Sequence, residues 1–388
     1  MIHWLPIILA ILSIQTSQGQ TLILSPLGAN FTAEADTPNP GQLQIQTIGI
    51  GTLSGDPVHF EYHAALPSRV GDPNFIVVSP SSGTTPATVF IALNPNVVPF
   101  LHSGSYSLVL QFAVAGQSSP PYAGIPVSLR LSAQSAPSIT GVVSAASLRP
   151  DISPGQIVSI FGARLGTQPV TAQFDATGLY PTDLSHLDYT GTNVRDGVTF
   201  NGLAAPLLYI SPSQINAVVP YGVAGQTAVD VIVTHNLNPS PRFTVPIADT
   251  SPGIFTFTQN GTGQGAILNT NGSPNSVDNP APKRSVIQIF ASGAGLWKRT
   301  PPSELGGPVL DGSVILDAFN VVPVALVSLT IGGQPAQIFY AGAAPVQISG
   351  LLQVNALVPA NIGSGRQPVV LTIGQGNNAQ QQVSVAVQ

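Results

Sequence analysis

The stretch Ser105-Tyr106-Ser107-Leu108-Val109-Leu110-Gln111-Phe112 decides the fold class. Its even-numbered positions are apolar or aromatic and its odd-numbered positions are mostly polar. That two-residue period is typical of a half-buried β-strand, whose side chains point alternately to two faces. Similar runs, separated by clusters of Pro, Gly, Asn and Ser, occur at residues 42–48, 58–64, 88–93 and 126–131. Short strands at this spacing predict an all-β protein built from tandem immunoglobulin-like β-sandwich modules.

The composition favours the same fold class. Charged residues make up 7% of the 388-residue chain, against about 25% in ordinary soluble proteins. Long helices usually carry Glu, Lys and Arg on their wet faces, so this chain is a poor candidate for a helical protein. The 39 Gly and 37 Pro residues are interpreted as turns between strands.

Charge and cysteine content exclude several classes of function. The net charge is −5 and the 11 Lys and Arg residues are scattered, so no basic stripe exists for neutralising phosphates of a nucleic acid. The chain has no Cys, which excludes disulfides, thiolate metal sites and a cysteine nucleophile. Because secreted eukaryotic modules often contain a disulfide, its absence favours a bacterial exported protein.

The N-terminus predicts export. Residues 4–14 form an apolar run of signal-peptide length, and Ser17 and Gly19 are small residues at the −3 and −1 positions of a cleavage site. We therefore expect a signal peptide at residues 1–19, cleaved before Gln20. No later segment approaches about 18 uninterrupted apolar residues, so the mature chain is expected to have no membrane span and to be secreted, cell-surface or periplasmic.

The rest of the chain divides into three predicted modules. Residues 20–132 form the first, and residues 133–138, rich in small residues and Pro, form a linker. Beyond it lies an internal repeat: residues 157–166, 199–209 and 214–220 are echoed in order by residues 286–295, 330–340 and 353–359. The repeat predicts two related modules, residues 139–250 and 251–388, with Tyr209 equivalent to Tyr340 and Asn216 to Asn355.

The same repeated motifs carry a family resemblance. Residues 138–388 resemble the uncharacterised C-terminal domain of many secreted acidobacterial proteins, through PGQIVSIFG (residues 154–162), APLLYISP (205–212), QIN (214–216) and SPGIF (251–255). The resemblance implies IPT/TIG immunoglobulin-like modules and no established activity.

The first module resembles BACON-like domains of bacterial secreted proteins. The motifs are VSPSSGTTPA (residues 78–87), GSY (104–106) and IPVSL (125–129). That resemblance implies a suspected role in binding carbohydrate or mucin. Phe75-Ile76 stands where that family usually places a Trp.

One short motif has metal-ligand chemistry. In His59-Phe60-Glu61-Tyr62-His63, the two His and the Glu would share one face of a strand, and two imidazoles with a carboxylate could ligate zinc. Simple alternation, with polar residues outside and aromatic residues inside, explains the same pattern and also accounts for Phe60 and Tyr62. We favour alternation, and the sequence leaves metal binding by these three residues open.

Catalytic constellations are not apparent. Asp175, Asp183, Asp188 and Asp196 lie within one insertion, where glycosidase or calcium chemistry is possible but a solvated loop is favoured. Ser292 lacks the first glycine of a nucleophile elbow, and residues 261–265 lack the Lys of a phosphate loop, so they are interpreted as hairpin turns. We therefore predict no catalytic, cofactor-binding or metal-binding residues and no enzymatic activity.

The repeated Gln-x-Asn motifs, Gln214 with Asn216 and Gln353 with Asn355, demand a cause, since Asn is depleted in strands. The sequence favours a structural role, with the Asn amide bonded to the backbone of the neighbouring Ser211-Pro212 loop. The alternative is an amide surface for sugar hydroxyls.

The sequence as a whole predicts a non-catalytic secreted protein acting in adhesion, envelope architecture or surface binding. Its expected partner is an extracellular protein or polysaccharide. The alternative is an accessory carbohydrate-binding protein that works with secreted hydrolases.

Overall fold

The computed structural model describes residues 21–34, 44–69, 73–98, 101, 103–117, 120, 122–133, 135–187, 193–301, 308–375 and 381–388. The predicted signal peptide lies outside these residues. The chain divides into two compact units, residues 1–135 and residues 136–388. No helix within the described residues is long and apolar enough to cross a membrane.

The first unit is a sandwich of two sheets around one apolar core. One sheet has the strand order β1-β3-β7-β5 and the other has the order β2-β9-β8-β4-β6, with β2 parallel to β9. The strands are β1 Leu22–Ser25, β2 Ala29–Glu34, β3 Ile45–Thr52, β4 His59–Pro67, β5 Ile76–Ser79, β6 Ser82–Thr84, β7 Ala87–Leu93, β8 Gly104–Val114 and β9 Ala123–Ser132.

The stretch that predicted the fold class lies within β8. Leu108, Leu110 and Phe112 are at most 1% exposed, and the intervening side chains are only partly buried. The strand therefore buries one face against the opposite sheet, as its alternation predicts. Phe75 is fully buried and belongs to the core.

The second unit contains two sandwiches, each with its own core. The middle sandwich has sheets of order β10-β11-β17-β16-β12 and β13-β14-β18-β19, with β15 and β20 beside the second. Its strands are β10 Ser138–Ser144, β11 Ile157–Ala163, β12 Val170–Thr171, β13 Asp183–Leu187, β14 Asn193–Phe200, β15 Leu203–Ala204, β16 Leu207–Ile210, β17 Gln214–Val218, β18 Ala228–His235, β19 Asn238–Pro239 and β20 Phe243–Pro246.

The C-terminal sandwich repeats this plan with sheets of order β21-β24-β30-β29 and β22-β32-β31-β27-β28; β23 pairs with β24, and β25 with β26. Its strands are β21 Gly253–Ile254, β22 Gly263–Gln264, β23 Ile267–Leu268, β24 Val286–Ser292, β25 Trp297–Arg299, β26 Val321–Pro323, β27 Val327–Ile331, β28 Gln334–Pro335, β29 Ile338–Ala343, β30 Leu352–Leu357, β31 Gly365–Ile373 and β32 Val383–Val387. Two single-turn 3-10 helices, Tyr221–Val223 and Ala318–Asn320, complete the unit.

The fold class is confirmed: the described chain is all-β and consists of tandem β-sandwich modules. The pairing registers of the two sandwiches also correspond. Tyr209 pairs with Asn216 across β16 and β17, and Tyr340 pairs with Asn355 across β29 and β30. Each pairing follows a bulge one residue before the Tyr, which places the repeated motifs at equivalent positions in the two modules.

Candidate functional site

One sheet of each sandwich contains no charged residue. In the first unit this is the sheet β1-β3-β7-β5, in the middle sandwich the sheet of β10, β11, β12, β16 and β17, and in the C-terminal sandwich the sheet of β21, β23, β24, β29 and β30. Charged strand residues such as Glu61, Asp196 and Arg366 lie in the opposite sheets. Each sandwich therefore presents one neutral sheet face.

The neutral face of the middle sandwich carries an amide ladder. Ser159 of β11, Asn216 of β17 and Tyr209 of β16 occupy one row across the sheet. Asn216 Oδ1 accepts hydrogen bonds from Ser159 Oγ at 3.0 Å and from Gln214 Nε2 at 2.8 Å. Beside this row, Phe161 pairs with Gln214 and is 37% exposed.

The C-terminal sandwich has the same arrangement. Gln288, Asn355 and Tyr340 form the equivalent row, and Phe290 pairs with Gln353. Gln353 Nε2 donates to Asn355 Oδ1 at 2.9 Å, as Gln214 does to Asn216.

These contacts differ from the expected cause of the Gln-x-Asn motif. The Asn amides bond side chains of their own sheet face, not the backbone of the Ser211-Pro212 loop. The physical reason is local: residues two apart on a strand share a face, so the preceding Gln is within reach. Ser211 Oγ instead bonds the backbone N–H and C=O of Gln214.

The amide pair leaves one donor and one acceptor unused in each sandwich. Within the described residues, Asn216 Nδ2 and Gln214 Oε1 have no hydrogen-bond partner, and the same holds for Asn355 Nδ2 and Gln353 Oε1. All four side chains are half-buried. A ligand that both donates and accepts hydrogen bonds would satisfy them.

Aromatic side chains flank the amides of the C-terminal sandwich. The rings of Tyr340 and Phe319 meet edge to face with centroids 5.6 Å apart, and Phe319 is 77% exposed. Phe339, the bulge residue before Tyr340, is 57% exposed. Phe319 is held by its short helix, which follows Asp317, and Asp317 accepts from Arg299 Nη1 through both carboxylate oxygens at 2.7 Å.

The Tyr340 hydroxyl donates to the carbonyls of Ala318 and Ala343, at 3.0 and 2.5 Å. Burial raises the pKa of Tyr340 to about 12, so the phenol stays protonated and keeps these bonds at neutral pH.

The neutral face of the middle sandwich meets the C-terminal sandwich at a shared apolar cluster. Ile157 and Val218 end the face of the middle sandwich, and they pack with Ile348, Phe255 and Leu351 of the C-terminal sandwich. The cluster packs the outward-facing side of the middle sheet against loops of the C-terminal sandwich, since Phe255, Ile348 and Leu351 lie outside its strands.

Ser292 reinforces this junction. Its fully buried Oγ accepts from Ile157 N and donates to Gly350 O, both at 2.9 Å. One bond crosses to the middle sandwich and the other stays within the C-terminal sandwich, so both bonding roles of the hydroxyl are used, which explains Ser292 without a nucleophilic role.

The first unit has a different neutral face. Phe90 of β7 is 49% exposed and lies between Thr47 of β3 and Ser79 of β5. In the next row, Ile45 and Val77 flank Ala92 and are 54% and 46% exposed. Three large apolar side chains thus lie exposed on adjacent strands, which is typical of an interaction surface.

The motif of His59, Glu61 and His63 follows the alternation that the sequence favoured. Phe60 is buried, His59 is exposed with Nδ1 3.0 Å from Thr84 Oγ1, and the His63 ring stacks on Tyr122 with centroids 4.0 Å apart. A bulge between Tyr62 and Ala64 interrupts the strict alternation at His63. Among the described residues, no three His, Cys, Asp or Glu side chains are grouped so as to hold a metal ion.

The acidic insertion is not a solvated loop throughout, so that expectation was wrong for Asp196. Asp196 is fully buried on β14, and its Oδ1 lies 2.5 Å from His235 Nδ1 on the paired strand β18. Asp183 lies on β13, and its Oδ2 is 3.7 Å from Arg195 Nη1. Asp175 is exposed, and hydrogen bonds from the Thr177 side chain and from backbone N–H groups lower its pKa. Asp188 lies outside the described residues.

Residues 261–265 form the expected reversal, since Phe257 N donates to Gln264 O. Gly263–Gln264 also pairs in parallel with β32, which the sequence did not predict because that partner lies more than a hundred residues away. The sequence analysis also missed the exposed aromatic residues Phe319 and Phe339. Phe339 is a bulge residue and Phe319 lies in the 3-10 helix between β25 and β26, so neither position follows the two-residue alternation of a strand.

Comparison with protein-family models gives no match to this chain, and comparison with curated proteins gives none either. Solved structures do align. SGBP-B of the Bacteroides ovatus mixed-linkage glucan utilization locus, in complex with a mixed-linkage heptasaccharide, is 13% identical over 98% of this chain and 69% of that one, with a TM-score of 0.27. A chaperone–tip adhesin complex of CFA/I fimbriae is 10% identical over 56% of this chain and 92% of that one, with a TM-score of 0.22.

The E. coli chaperone DraB is 11% identical over 59% of this chain and 97% of that one, also with a TM-score of 0.22. At TM-scores this low, these similarities establish no shared function.

Proposed function

We propose that this chain is a non-catalytic, exported bacterial protein that acts in adhesion, envelope architecture or surface binding. The observation that carries the proposal is the neutral face of the first unit, where Ile45, Val77 and Phe90 are exposed on strands that contain no charged residue. When a partner covers exposed apolar side chains on adjacent strands, it removes them from water and lowers the free energy. A surface without charges suits contacts to protein or polysaccharide outside the cell. The sequence resemblances to secreted modules support the same location.

Co-sedimentation of the full chain with isolated bacterial cell envelopes tests this function. Phe90→Ser removes the central exposed ring without touching the core. Burying a half-exposed Phe is worth about 1–1.5 kcal/mol, so the variant is expected to bind about tenfold more weakly. Leu66→Ser is the matched control, because Leu66 is similarly exposed but lies on the opposite sheet. Equal binding by both variants and the unmodified chain would exclude the neutral face as the contact surface.

A second candidate function is an accessory carbohydrate-binding protein that works with secreted hydrolases. The observation in its favour is the amide ladder of the second unit, where unused amide donors and acceptors lie beside aromatic rings. Apolar rings and a few placed polar groups are typical of small-ligand and sugar sites.

A further inference from the structure

We propose that the neutral faces of the middle and C-terminal sandwiches form two equivalent subsites for one neutral polysaccharide, and that the Gln-x-Asn amide pairs recognise adjacent sugar hydroxyls. This inference rests on the second candidate function and assigns its site and ligand class. The two subsites are named after their asparagines, the Asn216 subsite and the Asn355 subsite.

Each amide pair has one hydrogen-bond donor and one acceptor that no described residue uses. In both subsites the Gln Nε2 donates to the Asn Oδ1, which fixes the two amides relative to each other. The remaining atoms are the Asn Nδ2, a donor, and the Gln Oε1, an acceptor. One sugar hydroxyl can accept a hydrogen bond from the Asn Nδ2, and a neighbouring hydroxyl can donate one to the Gln Oε1. A pair of adjacent hydroxyls therefore satisfies both amides. Because the amides are already oriented, binding loses less side-chain entropy.

Both subsites lie on neutral sheets. No strand of either sheet contains a charged residue. An anionic polysaccharide would find no cation on these strands, and a cationic ligand would find no carboxylate. Hydroxyl groups need neither, so the chemistry of the faces selects a neutral glycan.

Aromatic residues pair with the amide residues in both subsites. Tyr209 and Tyr340 pair with Asn216 and Asn355, and Phe161 and Phe290 pair with the two Gln residues. Ring faces pack against the C–H surfaces of pyranose sugars while the amides bind the hydroxyls. The Asn355 subsite has the larger aromatic surface, because the exposed rings of Phe319 and Phe339 lie beside Tyr340.

The subsite is present twice in the second unit. Both copies belong to one compact unit, in which the apolar cluster of Ile157, Val218 and Ile348 packs the middle sandwich against the C-terminal sandwich. A polymer that engages one subsite is therefore held near the other at a high effective concentration. Asn occurs at the same pairing position in both sandwiches, and in neither does it make the expected bond to the loop backbone. A shared ligand explains this recurrence.

Affinity electrophoresis of the full chain in gels that contain a β-glucan, a galactomannan or, as the anionic comparison, polygalacturonate tests the ligand class. Retardation is expected in at least one neutral gel and not in polygalacturonate. Retardation by polygalacturonate alone, or by none of the three, would overturn the inference.

Asn216→Asp and Asn355→Asp test the site. Each retains the acceptor that bonds Gln Nε2 but removes the Nδ2 donor. Titration calorimetry with a short oligosaccharide of the retarding polymer is expected to give two sites in the unmodified chain, one in each single variant and none in the double variant. On the full polymer each single variant should bind at least tenfold more weakly, because the linkage between subsites is lost.

The control is the double variant Asn260→Asp/Asn271→Asp, which adds the same two charges to exposed turns where only the Oδ1 atoms are used. It should bind as the unmodified chain does. Thermal melting separates a structural role: lowered melting of the Asn216 and Asn355 variants with unchanged binding would overturn the inference. The envelope binding of Phe90→Ser is independent of these variants, so failure here is distinguishable from failure of the adhesion function.

Discussion

At the scale of single residues, Ser292 shows how one side chain can join two modules. Its hydroxyl donates to Gly350 O within the C-terminal sandwich and accepts from Ile157 N of the middle sandwich. Buried polar backbone groups that lose a partner cost about 1–3 kcal/mol each.

Ser292→Ala is therefore expected to lower the free energy of unfolding of the second unit by about 2 kcal/mol or more, since two buried backbone groups lose their partner. Urea denaturation followed by tryptophan fluorescence measures the change through Trp297. The control is Ser285→Ala, where the hydroxyl donates only to Pro282 O in an exposed turn and the loss should stay within about 0.5 kcal/mol. Equal stabilities of the two variants would contradict the role of Ser292.

We expect the protein to lose stability at alkaline pH, because two tyrosines with raised pKa values ionise there. Burial raises the pKa of Tyr340 to about 12, and burial also raises that of Tyr221, with a further contribution from the charge of Asp311. A raised pKa means that the folded state prefers the protonated phenol. The stability is therefore fully present below about pH 10, the value in the unfolded chain, and is lost as the pH rises through 12.

Tyr340→Phe is expected to flatten the decline of melting temperature between pH 10 and 12, because the variant has no phenol to ionise at that position. Melting followed by circular dichroism at closely spaced pH values measures the slope. Identical slopes for the variant and the unmodified chain would show that Tyr340 does not contribute.

At the scale of strands, the alternation of apolar and polar residues predicted which side chains are buried. Nothing in the sequence indicated which distant strands pair. The period of β8 places Leu108, Leu110 and Phe112 in the core because a strand has only two faces. The parallel partner of β22 could not be predicted, since nothing in Gly263–Gln264 encodes β32. Bulges were missed for the same reason: an extra residue in one strand is defined by the partner strand, not by its own sequence.

The repeat predicted which side chains of the candidate site correspond, and the structure added what they do. Equivalence of Asn216 and Asn355 follows from matched letters alone. Their partners do not, because the distance between the Gln and Asn amides depends on side-chain rotamers and on the register with β11 and β24. The neutral character of the whole sheet was also present in the sequence, but it is visible only after the strands are assigned to sheets.

Two strand glycines provide a matched test of edge-strand packing. A Cβ at Gly342 on β29 would lie 2.6 Å from the Tyr340 hydroxyl and 2.8 Å from Val321 O, whereas a Cβ at Gly141 on β10 meets nothing within 4 Å. Gly342→Ala is expected to destabilise the C-terminal sandwich by about 1–3 kcal/mol, as overpacking does. Gly141→Ala should be neutral or slightly stabilising, because Ala restricts the unfolded chain. Thermal melting that ranks the two variants in the reverse order would contradict this packing.

At the scale of the whole molecule, burial of the chain between modules predicts where the protein can be cut. The connection between the middle and C-terminal sandwiches is buried: Thr250 is 3% and Ser251 is 4% exposed. Thr250 Oγ1 donates to Ile373 O at 2.7 Å, and Ser251 Oγ donates to Asp151 O at 2.9 Å. By contrast, Ser132, Ala133 and Ser135, which lead into the second unit, are exposed.

Limited proteolysis of the native full chain with a protease of broad specificity is therefore expected to cut near residues 132–135 and to spare residues 249–253. Cleavage requires accessible backbone that can open locally, which the exposed segment supplies more readily than a buried one. Mass spectrometry should detect an early fragment that begins near residue 136 and ends at Gln388. An equally early fragment that begins near residue 251 would show that the two sandwiches separate in solution. The coupling between the two subsites would then be lost.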